Sequence, residues 1–355
     1  MLISIWLGFL CETLCDLRAF VVSLLFRPTI TFREGLIVIA ITGAAGFIGS
    51  NLAHRLAGEG HELLLVDHPI TAPKAANWVG LEHFRFMDHD RFLAALTGEM
   101  KSLAAIFHLG ACSSTTEGDW DYLAKNNVGY TRTLWDWCAS HGRPFFYASS
   151  AATYGDGSRG FDDRTHPGEL HPLNLYGKSK NDFDIVALAE VASKRPTPPK
   201  WAGLKFFNVY GPRETHKNRM ASVVWQAHGQ ILRTGEMKLF RSTDPAYPDG
   251  GQLRDFVFVG DCVDHMIWLW KNNAPGGLYN SGTGTPRTFL DLVKATFVAM
   301  GREPVIRFVD MPADLAGKYQ NYTKAEMSKL HQAGYHTPAT TLEEGVWKTV
   351  AWLDG

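Results

Sequence analysis

Apolar and polar positions fall into blocks of two kinds along this chain. Short continuous apolar runs occupy residues 36–42, 62–67, 104–111 and 144–150. Their length, and the β-branched bias of the first, predict buried parallel strands rather than half-exposed ones. Helical patterns follow the first run, from Gly49 onward, and resume after Pro172. Strands feeding helices in this way predict an α/β fold, a Rossmann-like doubly wound parallel sheet. We place that sheet-forming domain at residues 36–207. A smaller C-terminal substrate-binding lobe, residues 208–355, can return strands or helices to it.

Residues 1–35 break the pattern. Met1 to Phe26 is mostly apolar but carries Glu12, Asp16 and Arg18 in its middle. In a spanning helix those charges would cost about 2.5–3.5 kcal/mol each at the bilayer centre. A secretory leader fits poorly too, without a basic n-region or a small-residue cleavage site. The spacing of Trp6, Leu10, Leu14, Leu17, Val21 and Leu24 suits an amphipathic helix. A dispensable start, a packing helix and a membrane address all remain compatible with it, and membrane contact is the least favoured.

Composition narrows the function classes. The 355 residues are 45% hydrophobic and 20% charged, with a net charge of -1. No bulk charge points to nucleic acid or an anionic membrane. Cys11, Cys15, Cys112, Cys138 and Cys262 form no C-x-x-C pair, so neither a disulfide frame nor a metal site is expected. That usage suits a reducing, cytoplasmic setting.

The first strand runs into Gly43-Ala-Ala-Gly46-Phe-Ile-Gly49. Gly43 permits a tight turn, Gly46 lets backbone approach a pyrophosphate, and Gly49 lets the helix pack on the strand. The helix N-terminus then offers N–H groups to phosphate. A ligand-free glycine turn would share this spacing, but the second strand ends in Asp67, 24 residues after Gly43. A carboxylate there can accept ribose hydroxyls. Asp67 alone favours NAD, and Lys74 could reach a 2′-phosphate and admit NADP. Lys74 reads equally well as a solvated loop lysine, so both cofactors stay open.

The strand at 144–150 ends in Ser149 and Ser150, and Tyr176-Gly-Lys-Ser-Lys180 opens a helical stretch. Tyr176 and Lys180, four apart, share a helix face. A tyrosine base must ionise well below its ordinary pKa of about 10, and the Lys180 ammonium and an oxidised nicotinamide both favour phenolate. Ser150 can hydrogen-bond a substrate oxygen as charge develops. The order of glycine turn, acid-tipped strand, serine-tipped strand and Tyr–Lys pair points to hydride chemistry on an alcohol.

Together these residues resemble the extended short-chain dehydrogenase/reductase superfamily, and more narrowly its ADP-L-glycero-D-manno-heptose 6-epimerases. The resemblance runs from about Leu36 to Leu353. It is strongest over residues 108–117, 147–155, 172–180 and 206–217, and continues through Arg254-Asp-Phe-Val and residues 318–323. It implies an NAD(P)-dependent isomerase of lipopolysaccharide-core supply, with one tightly held NADP, or NAD, per subunit. The C6″ alcohol of ADP-D-glycero-D-manno-heptose is oxidised to a transient ketone and reduced from the opposite face. Two faces need two proton-handling groups: Tyr176 is one and Lys217 matches the second, although alone Lys217 reads as a solvated loop lysine. The resemblance also implies a homo-oligomer, often a pentamer, with a nucleotide-sugar and no nucleic acid as its partner.

Position by position, Phe47, Ile48, Asp67, His68 and Lys74 stand at cofactor-contact positions. So do Leu109, Gly110, Ala111, Cys112 and Ser113, together with Asn126, Lys180 and Val209. Asn208, Arg254 and Tyr319 stand at substrate contacts, and Arg254 suits a diphosphate through bidentate hydrogen bonds. Phe240, Arg241, Ser242 and Thr243 fall where the nucleotide end is held. Two departures concern that end. Residues 241–253 form a longer segment, and Arg219 and Gln226 replace a serine and a histidine. A UDP-hexose 4-epimerase is the alternative, but it would not explain Lys217 in its setting. A 4,6-dehydratase needs acids where Ala151 and Ala152 stand. A dinucleotide sensor would have lost Tyr176 or Lys180, and a membrane-tethered scaffold rests on the tail alone.

Overall fold

The computed structural model describes residues 38–310 and 321–355, apart from residues 83, 99 and 101. The N-terminal pattern and Tyr319 lie outside the described residues. Among the described residues, no helix is long and apolar enough to cross a membrane. Contacts divide the chain into two units that meet in sequence at Gly110 and Ala111.

In the first unit, β1 (Val38–Thr42) leads into α1 (Phe47–Gly58), followed by β2 (Glu62–Asp67), β3 (Phe84–Asp88) and β4 (Leu103–His108). All five residues of β1 are buried, as an apolar central strand should be. It pairs in parallel with β2 and β4, and β2 pairs with β3. The register sets Thr42 opposite Val66 on one side and His108 on the other, so the carboxyl ends of β1, β2 and β4 finish together.

The second unit carries, after short helical segments, α2 (Tyr130–His141), β5 (Phe145–Ser150), α3 (Leu175–Ala192), β6 (Trp201–Phe206) and β7 (Asn208–Tyr210). It continues with α4 (Val223–Thr234), β8 (Met237–Phe240), β9 (Leu253–Arg254), β10 (Phe256–Phe258) and α5 (Val259–Lys271). Last come β11 (Gly277–Ser281), β12 (Arg287–Thr288), α6 (Phe289–Ala299), β13 (Ile306–Val309) and α7 (Leu342–Asp354). β5 pairs in parallel with β6, and β6 with β11, so a strand from the C-terminal stretch joins the strands that precede it. The strands of the first unit thus run in the order β4-β1-β2-β3 and those of the second in the order β11-β6-β5, all parallel. This is the Rossmann-like parallel architecture that the apolar runs predict.

Three two-stranded ladders serve the C-terminal part: β7 with β10, β8 with β13 and β9 with β12. The apolar faces of α4, α6 and α7 close over a separate core that includes Val224, Ile231, Phe297 and Val346. That core takes in Tyr210 of β7 and Met237 and Leu239 of β8, the strands that carry Asn208 and Phe240.

Candidate active site

In the first unit the glycine turn is shaped for a ligand rather than for packing alone. Gly43 has φ +63°, and a Cβ on it would stand 2.6 Å from the Gly110 nitrogen. A Cβ on Gly49 would stand 2.3 Å from the Gly43 carbonyl oxygen. Gly46 differs: its Cβ would meet only the Gly43 carbonyl, the oxygen at 3.0 Å, with open space otherwise. Gly46 is also the N-cap of α1 and offers no side-chain acceptor to the helix N-terminus. Backbone N–H groups at an uncapped N-terminus, next to a position kept bare, fit a diphosphate. Phe47 is buried behind the turn, and Ile48 is half-buried.

The turn is braced from three sides. Trp78 Nε1 donates to the Ala44 carbonyl and Asn77 Nδ2 to the Ala45 carbonyl, both at 2.9 Å. Asp67 Oδ2 accepts the Ala45 N–H at 3.0 Å. Its Oδ1 accepts the His68 N–H at 2.9 Å and Lys74 Nζ at 3.0 Å. Asp67 therefore shapes the turn as well as standing where ribose would be read, and Lys74 forms an ion pair with it rather than extending into solvent. His68 is exposed, its ring 4.8 Å from that of His89 and tilted against it. At the end of β4, Thr42 Oγ1 accepts the Gly110 N–H at 3.1 Å and bonds His108 Nδ1 at 2.7 Å, while the Leu109 N–H donates to the Thr42 carbonyl.

In the second unit, Ala111 and Cys112 are half-buried and Ser113 is exposed. Cys112 is held at both backbone polar groups by Asn127: Oδ1 accepts its N–H at 2.8 Å and Nδ2 donates to its carbonyl at 3.0 Å. Nδ2 also reaches Ser179 Oγ, 2.8 Å away, inside α3. Asn127 lies in a π-helical segment, Ala124–Gly129, that runs directly into α2. Asn126, the residue expected to contact cofactor, donates its amide to the Tyr122 carbonyl at 2.8 Å.

α3 starts at Leu175 because Asn174 caps it, Oδ1 accepting the Gly177 N–H at 2.8 Å. That places Tyr176 and Lys180 one turn apart. Burial pushes the Tyr176 phenol up, and its hydrogen bond with Ser150 pulls it back. Burial pushes the Lys180 ammonium down to about 8, against the opposing pull of Asp184. Ser150 ends β5, and its Oγ accepts the Ala152 N–H at 3.1 Å. The structure thus brings Ser150 and Tyr176 into contact, with a buried cation on the next turn of the same helix.

Lys217 lies in a 3-10 segment, Thr215–Met220, between two left-handed non-glycine residues, Arg213 (φ 69°) and Asn218 (φ 49°). Such residues cost about 1 kcal/mol or more each, so the surrounding contacts impose this path. Glu214 supplies them, its carboxylate accepting the Ser222 N–H at 2.6 Å and the Ser222 hydroxyl at 2.5 Å. Burial lowers the Lys217 pKa while Glu214 opposes it. A lysine with a lowered pKa suits acid–base work better than a solvated one. Gln226 Nε2 donates to the Asn218 carbonyl at 2.9 Å, tying α4 to this segment, and Arg219 is exposed.

Arg254 is buried, donates to the Leu253 carbonyl at 3.0 Å and lies 5.6 Å from the Phe289 ring. The next residue, Asp255, went unnoticed in the sequence. Its carboxylate accepts the Thr283, Gly284 and Ala325 N–H groups at 2.7–2.9 Å and the Thr283 hydroxyl, fixing the backbone beside Arg254. Asn208 is exposed, and Val209 beside it is half-buried. Phe240 ends β8. The longer 241–253 segment closes on itself: Arg241 pairs with Asp249 at 3.1 Å and Asp310 at 3.4 Å, and the Ser242 N–H donates to Asp249. Arg241 and Thr243 are exposed, with Ser242 between them half-buried.

Known proteins are similar in sequence and in fold. Residues 39–282 match the family described as NAD dependent epimerase/dehydratase. An ADP-L-glycero-D-manno-heptose-6-epimerase of Nitratidesulfovibrio vulgaris is 48% identical over 314 residues, 87% of this chain and 96% of that one. The enzyme of the same name from Fusobacterium nucleatum is 43% identical over 321 residues, 87% and 96% of the two chains. Among solved structures, the Helicobacter pylori ADP-L-glycero-D-manno-heptose-6-epimerase superposes with a TM-score of 0.75 at 26% identity, covering 92% of this chain and 99% of that one.

Proposed function

Because the chain belongs to the NAD dependent epimerase/dehydratase family, we propose that it epimerises ADP-D-glycero-D-manno-heptose to ADP-L-glycero-D-manno-heptose at C6″, supplying heptose for lipopolysaccharide core. The observation that carries this reading is the Ser150–Tyr176 hydrogen bond with Lys180 one turn on, in a chain whose relatives of that name align over nearly their whole length. A bound nicotinamide dinucleotide supplies reversible hydride acceptance, which a carbinol carbon needs for inversion without net redox change.

The chain's own residues do the rest. Ser150 holds the substrate oxygen, and Tyr176 handles the hydroxyl proton on one face. The Lys180 ammonium favours the phenolate, as does any further positive charge nearby. Lys217 handles the proton for the opposite face, which its lowered pKa permits. Arg254 takes the diphosphate, with Asn208 a second substrate contact. Glycines 43, 46 and 49 cradle the cofactor diphosphate. We assign NADP in preference to NAD because the Lys74 ammonium offsets the Asp67 carboxylate that would otherwise repel a 2′-phosphate. A cytoplasmic homo-oligomer is the proposed form, which native mass would test.

The direct experiment incubates purified protein with ADP-D-glycero-D-manno-heptose, adding no cofactor, and resolves the C6″ epimers by chromatography. Conversion supports substrate, reaction and a retained dinucleotide together. No conversion, even with NADP and NAD supplied, overturns the heptose assignment.

A further inference from the structure

Behind the catalytic strand end lies a fully buried ion pair, Asp184 of α3 with Lys205 of β6, at 2.8 Å and with neither side chain exposed. Asp184 Oδ1 accepts the Tyr147 hydroxyl at 2.9 Å and Oδ2 the Ser149 hydroxyl at 2.7 Å, both from β5. Lys205 Nζ also reaches Thr153 Oγ1 at 2.7 Å and lies 5.0 Å from the Tyr154 ring. Thr153 Oγ1 in turn donates to the Ser150 carbonyl at 2.8 Å.

The direction of every proton in this chain is forced. An ammonium has no lone pair, so Lys205 donates to Thr153; the single hydroxyl hydrogen of Thr153 is then left for Ser150. A buried charge pair is also weak support for stability, since well-packed apolar residues often serve as well or better. The pair instead joins the helix of Tyr176 and Lys180 to the strand of Ser150. Asp184 sits eight residues after Tyr176 on α3; its partners Tyr147 and Ser149 precede Ser150 in sequence, and Thr153, the partner of Lys205, follows it.

We propose that Thr153 is a positioning residue, its hydroxyl coupling the Asp184–Lys205 pair to the main chain of Ser150 so that the Ser150 hydroxyl is held in place for Tyr176. The inference rests on the reading of Ser150 and Tyr176 as the proton-handling pair. Thr153→Val keeps the shape and removes both hydrogen bonds, whereas Thr153→Ser keeps the hydroxyl. The test reads two quantities on full-length protein. One is Tyr176 ionisation, followed as phenolate absorbance during a pH titration, each variant being subtracted from its own Tyr176→Phe counterpart. The other is kcat and KM on the heptose substrate.

With the Ser150 hydrogen bond loosened, Thr153→Val should ionise Tyr176 at higher pH than the parent. It should lose about tenfold in kcat, as expected for one mispositioned stabilising donor, with KM nearly unchanged. Thr153→Ser should restore both. Thermal unfolding reports whether each variant folds, and if Thr153→Val does not, Thr153→Ala makes the same comparison. An unmoved Tyr176 titration, or a Thr153→Ser variant as impaired as Thr153→Val, overturns the proposal. If the parent fails to convert the heptose while the titration still moves and is rescued, the positioning role stands and the substrate assignment falls.

Discussion

Gly177, immediately after Tyr176, offers a sensitive test of the geometry. A Cβ there would stand 2.7 Å from the Ala152 carbonyl oxygen, 3.1 Å from Pro172 Cβ and 3.2 Å from the Ala152 carbonyl carbon. Ordinary carbon–oxygen approach is about 3.3 Å, so Gly177→Ala must part α3 from the segment after Ser150 by roughly 0.6 Å. Overpacking of this sort costs about 1–3 kcal/mol, and alanine returns about 1 kcal/mol of helix propensity. The net loss of stability is therefore small, roughly 0–2 kcal/mol. Activity should suffer more, since a misplacement of about 1 Å can cost about a hundredfold and half that distance roughly tenfold. Thermal unfolding and the chromatographic rate on ADP-D-glycero-D-manno-heptose measure the two effects. A variant within twofold of the parent rate would refute the claim that contact between the first turn of α3 and the Ala152 carbonyl sets the Ser150–Tyr176 distance.

Four further outcomes follow from the structure. Tyr176→Phe should lower turnover by at least about a hundredfold, the scale of positioned acid–base catalysis, while the dinucleotide stays bound; near-normal turnover would remove Tyr176 from the proton path, and Lys217→Ala at full rate would do the same for the second group. Turnover should decline as pH rises through about 8, because the buried Lys180 ammonium loses its proton there; a rate level to pH 10 would show that the ammonium is not needed. Asp163 is buried, with burial pushing its carboxyl up to about 6 although it accepts the Asn280 N–H at 2.7 Å. Its folded pKa lies above the unfolded one, so the folded state binds more protons and stability falls between about pH 4 and 6, by roughly 3 kcal/mol in all. Asp163→Asn should then raise thermal stability at pH 8 and leave it nearly unchanged at pH 4; equal shifts at both would refute the account.

Much of this architecture is written in the apolar runs. The run ending in Asp67 coincides with β2, and the run ending in Ser150 matches β5 to within one residue, because buried parallel strands tolerate few polar residues and end where polarity resumes. Tyr176 and Lys180 could be placed on a helix from Pro172 and the four-residue spacing alone. The second use of Asp67, bracing the Ala45 N–H, depends on strand register and carries no local signal. The hold of Asn127 on Cys112 carries no local signal either, since a regular helical period does not anticipate a π segment. Lys205 was visible as a lysine inside the apolar run Trp201–Phe206, but its partner Asp184 lies in another element, and only tertiary structure joins them. Asp255 was hidden in the same way, since all four of its donors come from residues at least 28 positions away.

The π-helical segment Ala124–Gly129 carries a consequence for how this chain can change over generations. A π turn holds one residue more than the α turn it replaces, so it is in effect an insertion kept in place. Losing one codon there would let the backbone rewind as an ordinary helix without breaking it. The flanks would keep their phase, but the wider turn that aims the Asn127 amide at Cys112 and Ser179 would be gone. Exposed neighbours such as Lys125 and Gly129 can vary in identity at small cost. The number of residues between Asp119 and Tyr130 cannot, so in this stretch length, more than composition, is the inherited trait.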